Sequence, residues 1–240
     1  MRREPYGVGS IIHVVKRGTR GLPFLKDDAD RHRLLLMLAH FNDKPSRPLW
    51  FRDLLAEEKV ITFERADSWP DQSPLTKIHA FCFHSNHIHL LLEEIFDGGI
   101  SLFMQKIGNG LSGHLNEKYQ EYGSPFQGAY KSKTIDSDTY LRYVITYIQV
   151  KNAFEQFPGG YTKAEKQFKK AYEWALEFPY SSLHDHLERS DLHKSRGIVS
   201  SDLFTSMWSP SEYKKYAEDV ILGRAHLGTD DKNAFRGAFI

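Results

Sequence analysis

The chain is predicted to be α+β, an antiparallel sheet with helices packed on one face, and three observations predict it. Runs of β-branched or alternating apolar residues are interleaved with runs whose apolar residues recur at helical spacing. The strongest strand run, Lys77 to Glu94 (KIHAFCFHSNHIHLLLEE), is split by Ser85-Asn86, a pair suited to the tight turn of a hairpin. No apolar stretch approaches the roughly 18 residues of a membrane span. The first residues, Met1-Arg2-Arg3-Glu4-Pro5, have no apolar segment behind them, so no signal peptide and a cytoplasmic location are expected.

In chain order, Gly9 to Lys16 (GSIIHVVK) reads as a strand followed by the basic turn Arg17-Gly18-Thr19-Arg20-Gly21. From Asp27 the acidic residues suit a helix first turn, and Leu34, Leu35, Leu38 and Phe41 carry that helix to about Asn42. Residues 43–75 read as an extended insertion rich in Pro and Trp, with a possible strand at Lys59 to Phe63. After the hairpin, Asp97-Gly98-Gly99 breaks the chain, and Ile100 to Tyr119 forms a helix. Its Gly108, Gly110 and Gly113 each cost about 1 kcal/mol against alanine, so close backbone approach is expected there. Phe126 to Ile135 reads as a further strand, and Asp136-Ser137-Asp138 caps a helix running from Thr139 to Asn152. Beyond Pro158-Gly159-Gly160 come a basic amphipathic helix (Thr162 to Leu176), a docking segment (Phe178 to Leu183) and a capped helix from Ser209 to Leu222. The division expected is a catalytic domain over 1–157, with the insertion at 43–75, and a helical C-terminal extension over 158–240.

Composition excludes some functions and leaves others open. With one cysteine, Cys82, in an apolar strand, an intrachain disulfide framework and a cysteine-based zinc site are ruled out. Thirty-two Lys and Arg against 31 Asp and Glu give a net charge of +1, so affinity for nucleic acid has to come from local clusters. Lys16, Arg17 and Arg20 form one cluster, and Lys131 and Lys133 form another. His87 and His89 flank Ile88, and the two-residue repeat of a strand sends both imidazoles to one face while Ile88, Leu90 and Leu92 go to the other. Two neutral imidazoles side by side suit a divalent metal with coordination positions left open. Tyr140, Tyr143 and Tyr147 lie on one stripe of the following helix.

The order of these blocks is itself informative: His13-Val14-Val15-Lys16-Arg17-Gly18, a helix, Asn86-His87-Ile88-His89-Leu90-Leu91, Phe126-Gln127-Gly128-Ala129-Tyr130-Lys131-Ser132, and a helix bearing Tyr147-Ile148. It resembles the single-tyrosine HUH transposases of the IS200-like group, and more closely their REP-associated relatives, over roughly Tyr6 to Asn152. The resemblance implies a ferredoxin-like sheet, a metal bound by His87 and His89, and Tyr147 as nucleophile. Tyr140 and Tyr143 become packing or DNA-contact residues. The implied activity is metal-dependent cleavage and strand transfer of single-stranded DNA with hairpin, REP-like or palindromic, elements, through a covalent 5′-phosphotyrosine. Mg²⁺ or Mn²⁺ is the implied cofactor, and two imidazoles lean toward Mn²⁺ because Mg²⁺ prefers oxygen. A nucleoid-associated protein follows, either monomer or homodimer, with the C-terminal tail favouring monomer.

One position departs from the family. A further ligand, Gln, Asn or His, usually lies about one helical turn after the tyrosine, and here that residue is Lys151. On an ideal helix Gln149 points about 200° from Tyr147 and Asn152 about 140°, so Asn152 completes the metal shell only if the helix loosens. Lys151 itself lies about 40° from Tyr147, within reach of the same phosphate. The alternatives are a domesticated, catalytically weak DNA-binding protein, which Lys151 would suit, and a hydrolase that uses water and does not need Tyr147.

Overall fold

The computed structural model describes residues 6–187 and 197–225; Arg2 and Arg3 of the basic N-terminal segment, and the tail beyond residue 225, lie outside them. Four strands, β1 (Ile11–Arg17), β2 (Thr76–Phe83), β3 (His87–Glu94) and β4 (Lys131–Thr134), form one sheet in the order β2-β3-β1-β4. Every neighbouring pair is antiparallel. Helix α1 (Asp28–Phe41) crosses from β1 to β2. A short α2 (Trp50–Ala56) lies in the insertion, and α3 (Gly99–Tyr119) crosses from β3 to β4. The result is the ferredoxin-like βαββαβ arrangement expected from the sequence.

Strand alternation divides the buried side chains between two cores. Ile12, Val14, Ile78, Ile88, Leu90 and Leu92 pack against Leu34, Leu35 and Leu38 of α1 and Phe103, Ile107 and Leu111 of α3. A fully buried Leu or Ile stabilises by about 1.5–3 kcal/mol, so this layer supplies much of the drive to fold. Asp27 caps α1, accepting from the Asp30 amide at 3.0 Å. Asp30 is itself buried, and Lys118 and the Tyr119 hydroxyl of α3 close on it at 2.8 and 2.7 Å, so the cap also ties the two helices together.

The second face is not left open. Ala80, Cys82 and Leu91 meet a core built from the C-terminal half. Its elements are α4 (Asp138–Thr146), a π-helical turn (Tyr147–Lys151), α5 (Asn152–Glu155), α6 (Gly160–Lys166), α7 (Phe168–Glu177), α8 (Leu183–His186), α9 (Asp202–Met207) and α10 (Pro210–Ile221). Ser137 and Ser209 cap α4 and α10 as expected. The docking segment pairs with the outer edge of β2, where Phe83 N–H donates to the Tyr180 carbonyl at 2.9 Å and Ser182 N–H to the Phe81 carbonyl at 3.0 Å. That covers an otherwise free strand edge. Among the described residues no helix is long and apolar enough to cross a membrane.

Four local expectations are corrected. Lys59 to Phe63 is not a strand, because Glu58 and Phe63 both take left-handed backbone, with φ of 57° and 60°. The insertion is held instead by Asp43, which accepts from Arg47, Arg65 and the Ser73 amide. The strand expected over Phe126 to Ile135 shortens to Lys131–Thr134, with Phe126 making only an isolated bridge to Gly18. The helix expected over Thr162 to Leu176 breaks at Gln167 (φ −121°, ψ 42°). The helix expected to run unbroken to Asn152 is interrupted by the π-turn.

Of Gly108, Gly110 and Gly113, close approach explains only one fully. A Cβ on Gly110 would collide with the Phe41 ring of α1, one on Gly108 would make ordinary contact with Lys16 at 3.6 Å, and one on Gly113 would meet nothing. Gly110→Ala is therefore expected to lower the unfolding free energy by about 1–3 kcal/mol through overpacking. Gly113→Ala should leave it unchanged or raise it by up to about 1 kcal/mol. Urea denaturation of the two variants checks the contrast; equal effects would mean that α1 and α3 do not meet as described.

Candidate active site

Strand register assembles the site. β1 and β3 pair with Arg17 opposite His87 and Val15 opposite His89, and β2 sets Cys82 opposite His89. Cross-strand partners share a face and alternate residues share a face. His13, Val15 and Arg17 of β1 therefore lie on the face of His87 and His89, together with Lys131 and Lys133 of β4, which pair with Val15 and His13. The hairpin turn is as tight as expected, with His84 N–H donating to the His87 carbonyl at 2.8 Å.

Onto this face α4 and the π-turn bring Tyr147. Its ring lies 5.5 Å from that of His89 and 6.1 Å from that of His13, edge-on to both. The His87 and His89 rings are 5.0 Å apart, and His84 stacks on His87 at 4.1 Å. Burial holds the pKa of His87 down to about 4, those of His13 and His84 to about 3, and that of His89 well below its usual value. Four neutral imidazoles therefore line the site at neutral pH. Burial pushes the Tyr147 phenol well above its ordinary range, and the nearby Arg17 charge opposes that rise.

At His87 the tautomer follows from the hydrogen bonds. Asn86 donates its amide nitrogen to the Gly21 carbonyl at 2.9 Å, so its oxygen faces His87 Nδ1 at 2.7 Å and accepts a proton from it. His87 Nε2 is left with its lone pair, the form in which an imidazole ligates metal.

The π-turn sets the direction of Asn152. The Asn152 amide donates to the Tyr147 carbonyl, five residues back, so one extra residue is absorbed in the turn. Asn152 is thereby turned inward: it is wholly buried with its side chain beside His84, and among the described residues neither atom of its carboxamide is in hydrogen-bond geometry with a protein partner. A buried, unsatisfied carboxamide costs about 1–3 kcal/mol, which suits a group kept for a ligand. Lys151 faces elsewhere. Its ammonium pairs with Glu155 at 3.6 Å and lies 4.8 Å over the Tyr147 ring and 5.6 Å over that of Tyr161. Gln149, on the far side of the helix, is also wholly buried. It donates to Ser182 Oγ at 3.0 Å, accepts from the Tyr213 hydroxyl of α10 at 2.7 Å, and its carbonyl accepts from Ser181 Oγ at 3.1 Å.

Of the residues expected at the site, His87, His89, Tyr147, Arg17, Lys131 and Lys133 share one face, and Arg17 and Lys131 are exposed on it. Lys16 does not join them. It is 8% exposed on the opposite face, its ammonium donating to the Gly128 carbonyl at 3.2 Å and capping the Phe126 ring, and burial lowers its pKa. Arg20 is exposed in a 3-10 turn with left-handed backbone (φ 56°). Tyr140 is wholly buried core, and Tyr143 is half-buried, its ring 6.4 Å from that of Tyr147. Three residues were missed: His13, His84 and Glu155, whose carboxylate lies 4.0 Å from His84. Period-two reading of β1 would have found His13, two strand repeats before Arg17. His84 is visible as the residue facing His87 across a two-residue turn. Among the described residues no three His, Cys, Asp or Glu side chains converge as a metal-holding group. A divalent cation here would rest on two histidines and the Asn152 carboxamide.

Comparison with known proteins agrees with the resemblance read from the sequence. Residues 72–151 match the family model for IS200-like transposases. The solved structure of a REP-associated tyrosine transposase bound to a REP hairpin is similar, with 13% identity and a TM-score of 0.44, covering 82% of this chain and 88% of that one. No curated protein matches.

The depressed histidines give a pH dependence with a definite sign. The unfolded chain takes up protons below about pH 6.5 that the folded chain refuses until about pH 3–4, so stability falls as pH drops through that window. Each buried histidine contributes up to about 1.4 kcal/mol per pH unit. Metal-free His84→Gln should lose stability less steeply than the wild type between pH 6 and pH 4. Parallel denaturation profiles would show that His84 is not held neutral by the fold.

Proposed function

We propose that this chain cleaves and rejoins single-stranded DNA at hairpin-bearing ends, as a single-tyrosine HUH transposase, with Tyr147 as the nucleophile. The observation that carries the reading is the placing of Tyr147 against His89, from elements far apart in sequence, on the sheet face that also presents Arg17, Lys131 and Lys133. The match of residues 72–151 to the IS200-like family supports it, and the preference for hairpin ends is carried by the resemblance of the sequence blocks.

In the forward step the Tyr147 Oη–phosphorus bond forms and the phosphorus–O3′ bond breaks. The phenol proton is lost and the departing 3′ oxygen takes one up, leaving a 5′-phosphotyrosine and a free 3′-OH. Rejoining is the same exchange in reverse, and the bond energy is conserved. Mg²⁺ or Mn²⁺, held by His87, His89 and Asn152, would supply positive charge at the phosphate oxygens when bound. Everything else falls to the protein. Arg17 opposes the rise in the phenol pKa and faces the phosphate, while Lys131 and Lys133 guide the backbone on either side. Lys151, over the tyrosine ring, adds positive potential where the phenolate develops. The π-turn favours this over a binding-only protein, since Lys151 leaves the ligand direction to Asn152.

Incubation of a labelled hairpin-flanked single strand with the protein and Mn²⁺ should give a denaturant-stable covalent adduct, absent from Tyr147→Phe. Cleavage that survives Tyr147→Phe would instead identify a water-using hydrolase. Replacing Arg17 and Lys131 together by Gln should reduce the slope of log affinity against log salt by about 1.4, two phosphate contacts' worth for a single strand. An unchanged slope would place the DNA path elsewhere.

A further inference from the structure

His13 does not belong to the His-x-His pair, yet it makes a direct polar contact to it. Its Nε2 lies 2.9 Å from His89 Nδ1, with the rings 5.2 Å apart and nearly parallel at 28°. Both side chains are sealed from solvent, at 0% and 1% exposure. The contact is a product of register: His13 pairs with Leu91, one repeat from His89, so the two histidines are diagonal neighbours on one face. A diagonal gap of about 7–8 Å between backbones is closed only by long or ring side chains.

The hydrogen bond has two possible polarities with opposite consequences. If His13 donated, His89 would carry its own proton on Nε2, and that nitrogen could not bind a cation. If His89 donates from Nδ1, its Nε2 carries a lone pair instead of a proton. The same choice is already made at His87, where the Asn86 oxygen takes the Nδ1 proton. We propose that His13 is the positioning residue for His89: its Nε2 accepts the His89 Nδ1 proton, fixes the ring's rotation and tautomer, and leaves the His89 Nε2 lone pair for the cation that His87 also binds. Asn86 from the hairpin turn and His13 from the neighbouring strand then form a matched outer shell, one acceptor per ligand. The inference rests on the metal-binding role given above to His87 and His89.

The test uses the full chain and Mn²⁺ as probe, with affinity measured by calorimetric titration and the number of bound imidazoles counted by pulsed electron paramagnetic resonance. His13→Phe keeps a ring without an acceptor and should weaken Mn²⁺ binding about 10–100-fold. His13→Gln places an amide oxygen where Nε2 was and should recover affinity to within about three-fold of wild type. Two imidazoles should be counted in both the wild type and His13→Gln. If His13→Phe does not fold, His13→Met, also without a comparable acceptor, takes its place. Wild-type affinity in the acceptor-free variant would overturn the proposal, and so would a count of three imidazoles in the wild type, which would make His13 a ligand. Wild-type Mn²⁺ binding that is absent, or that survives replacement of both His87 and His89 by Ala, would overturn the metal site itself. Binding that needs that pair but ignores His13 would overturn only its positioning role.

Discussion

The antiparallel ladder between β1 and β3 is the constraint on which the remaining structure depends. It runs from Ile11 opposite Glu93 to Arg17 opposite His87. Because strand side chains alternate, this one register sends Ile12, Val14, Ile88, Leu90 and Leu92 to the α1–α3 core and His13, Arg17, His87 and His89 to the other side. A slip of one residue would exchange the two sets, burying an arginine among leucines. The apolar core therefore enforces the register, and the polar site inherits its alignment without needing an interaction of its own to set it.

The π-turn is the second determinant. A helix phased for Tyr147 to face the histidines would, in regular α form, carry Asn152 far around its circumference. The wider turn resets that phase and lets Ile148, Val150, Ala153 and Phe154 all remain in the core. Such turns are rare because they weaken the regular hydrogen-bond ladder. Here the far side of the turn is secured by Gln149, with Ser181, Ser182 and Tyr213 around it. The residues that make that anchor come from the docking segment and from α10, and the C-terminal helices also bury Leu141, Val144 and Ile145 of α4 in their core.

Elements with one strong period were legible in the sequence: the four-strand, two-crossover plan, the shared face of His87 and His89, the capped helices, and the docking segment at Phe178 to Leu183. What was not legible was decided by competition. Lys16 sits in a strand whose alternation places it opposite Arg17's face, but its charge suggested a common surface; its long stem instead reaches Gly128 and Phe126. Local pattern alone cannot reveal a π-turn, since Tyr147 to Asn152 is an ordinary helical stretch. Its presence depends on tertiary hydrogen bonds to residues tens of positions away. The sequence did mark the place, in that Asn152 could face the side of Tyr147 only if the helix loosened there.

The hook around Gln149 bears on how such a protein could assemble. Exchange of the tyrosine-bearing helix between two copies would mean withdrawing Gln149 from Ser182 and Tyr213 in a site closed to water, or carrying the whole C-terminal layer across with it. Each buried partner left bare costs about 1–3 kcal/mol, so domain swapping at this helix has a high barrier. Tyr147 and the histidines would then stay within one chain, and in the proposed reaction it is the DNA strands that would change places between cutting and rejoining at a single tyrosine.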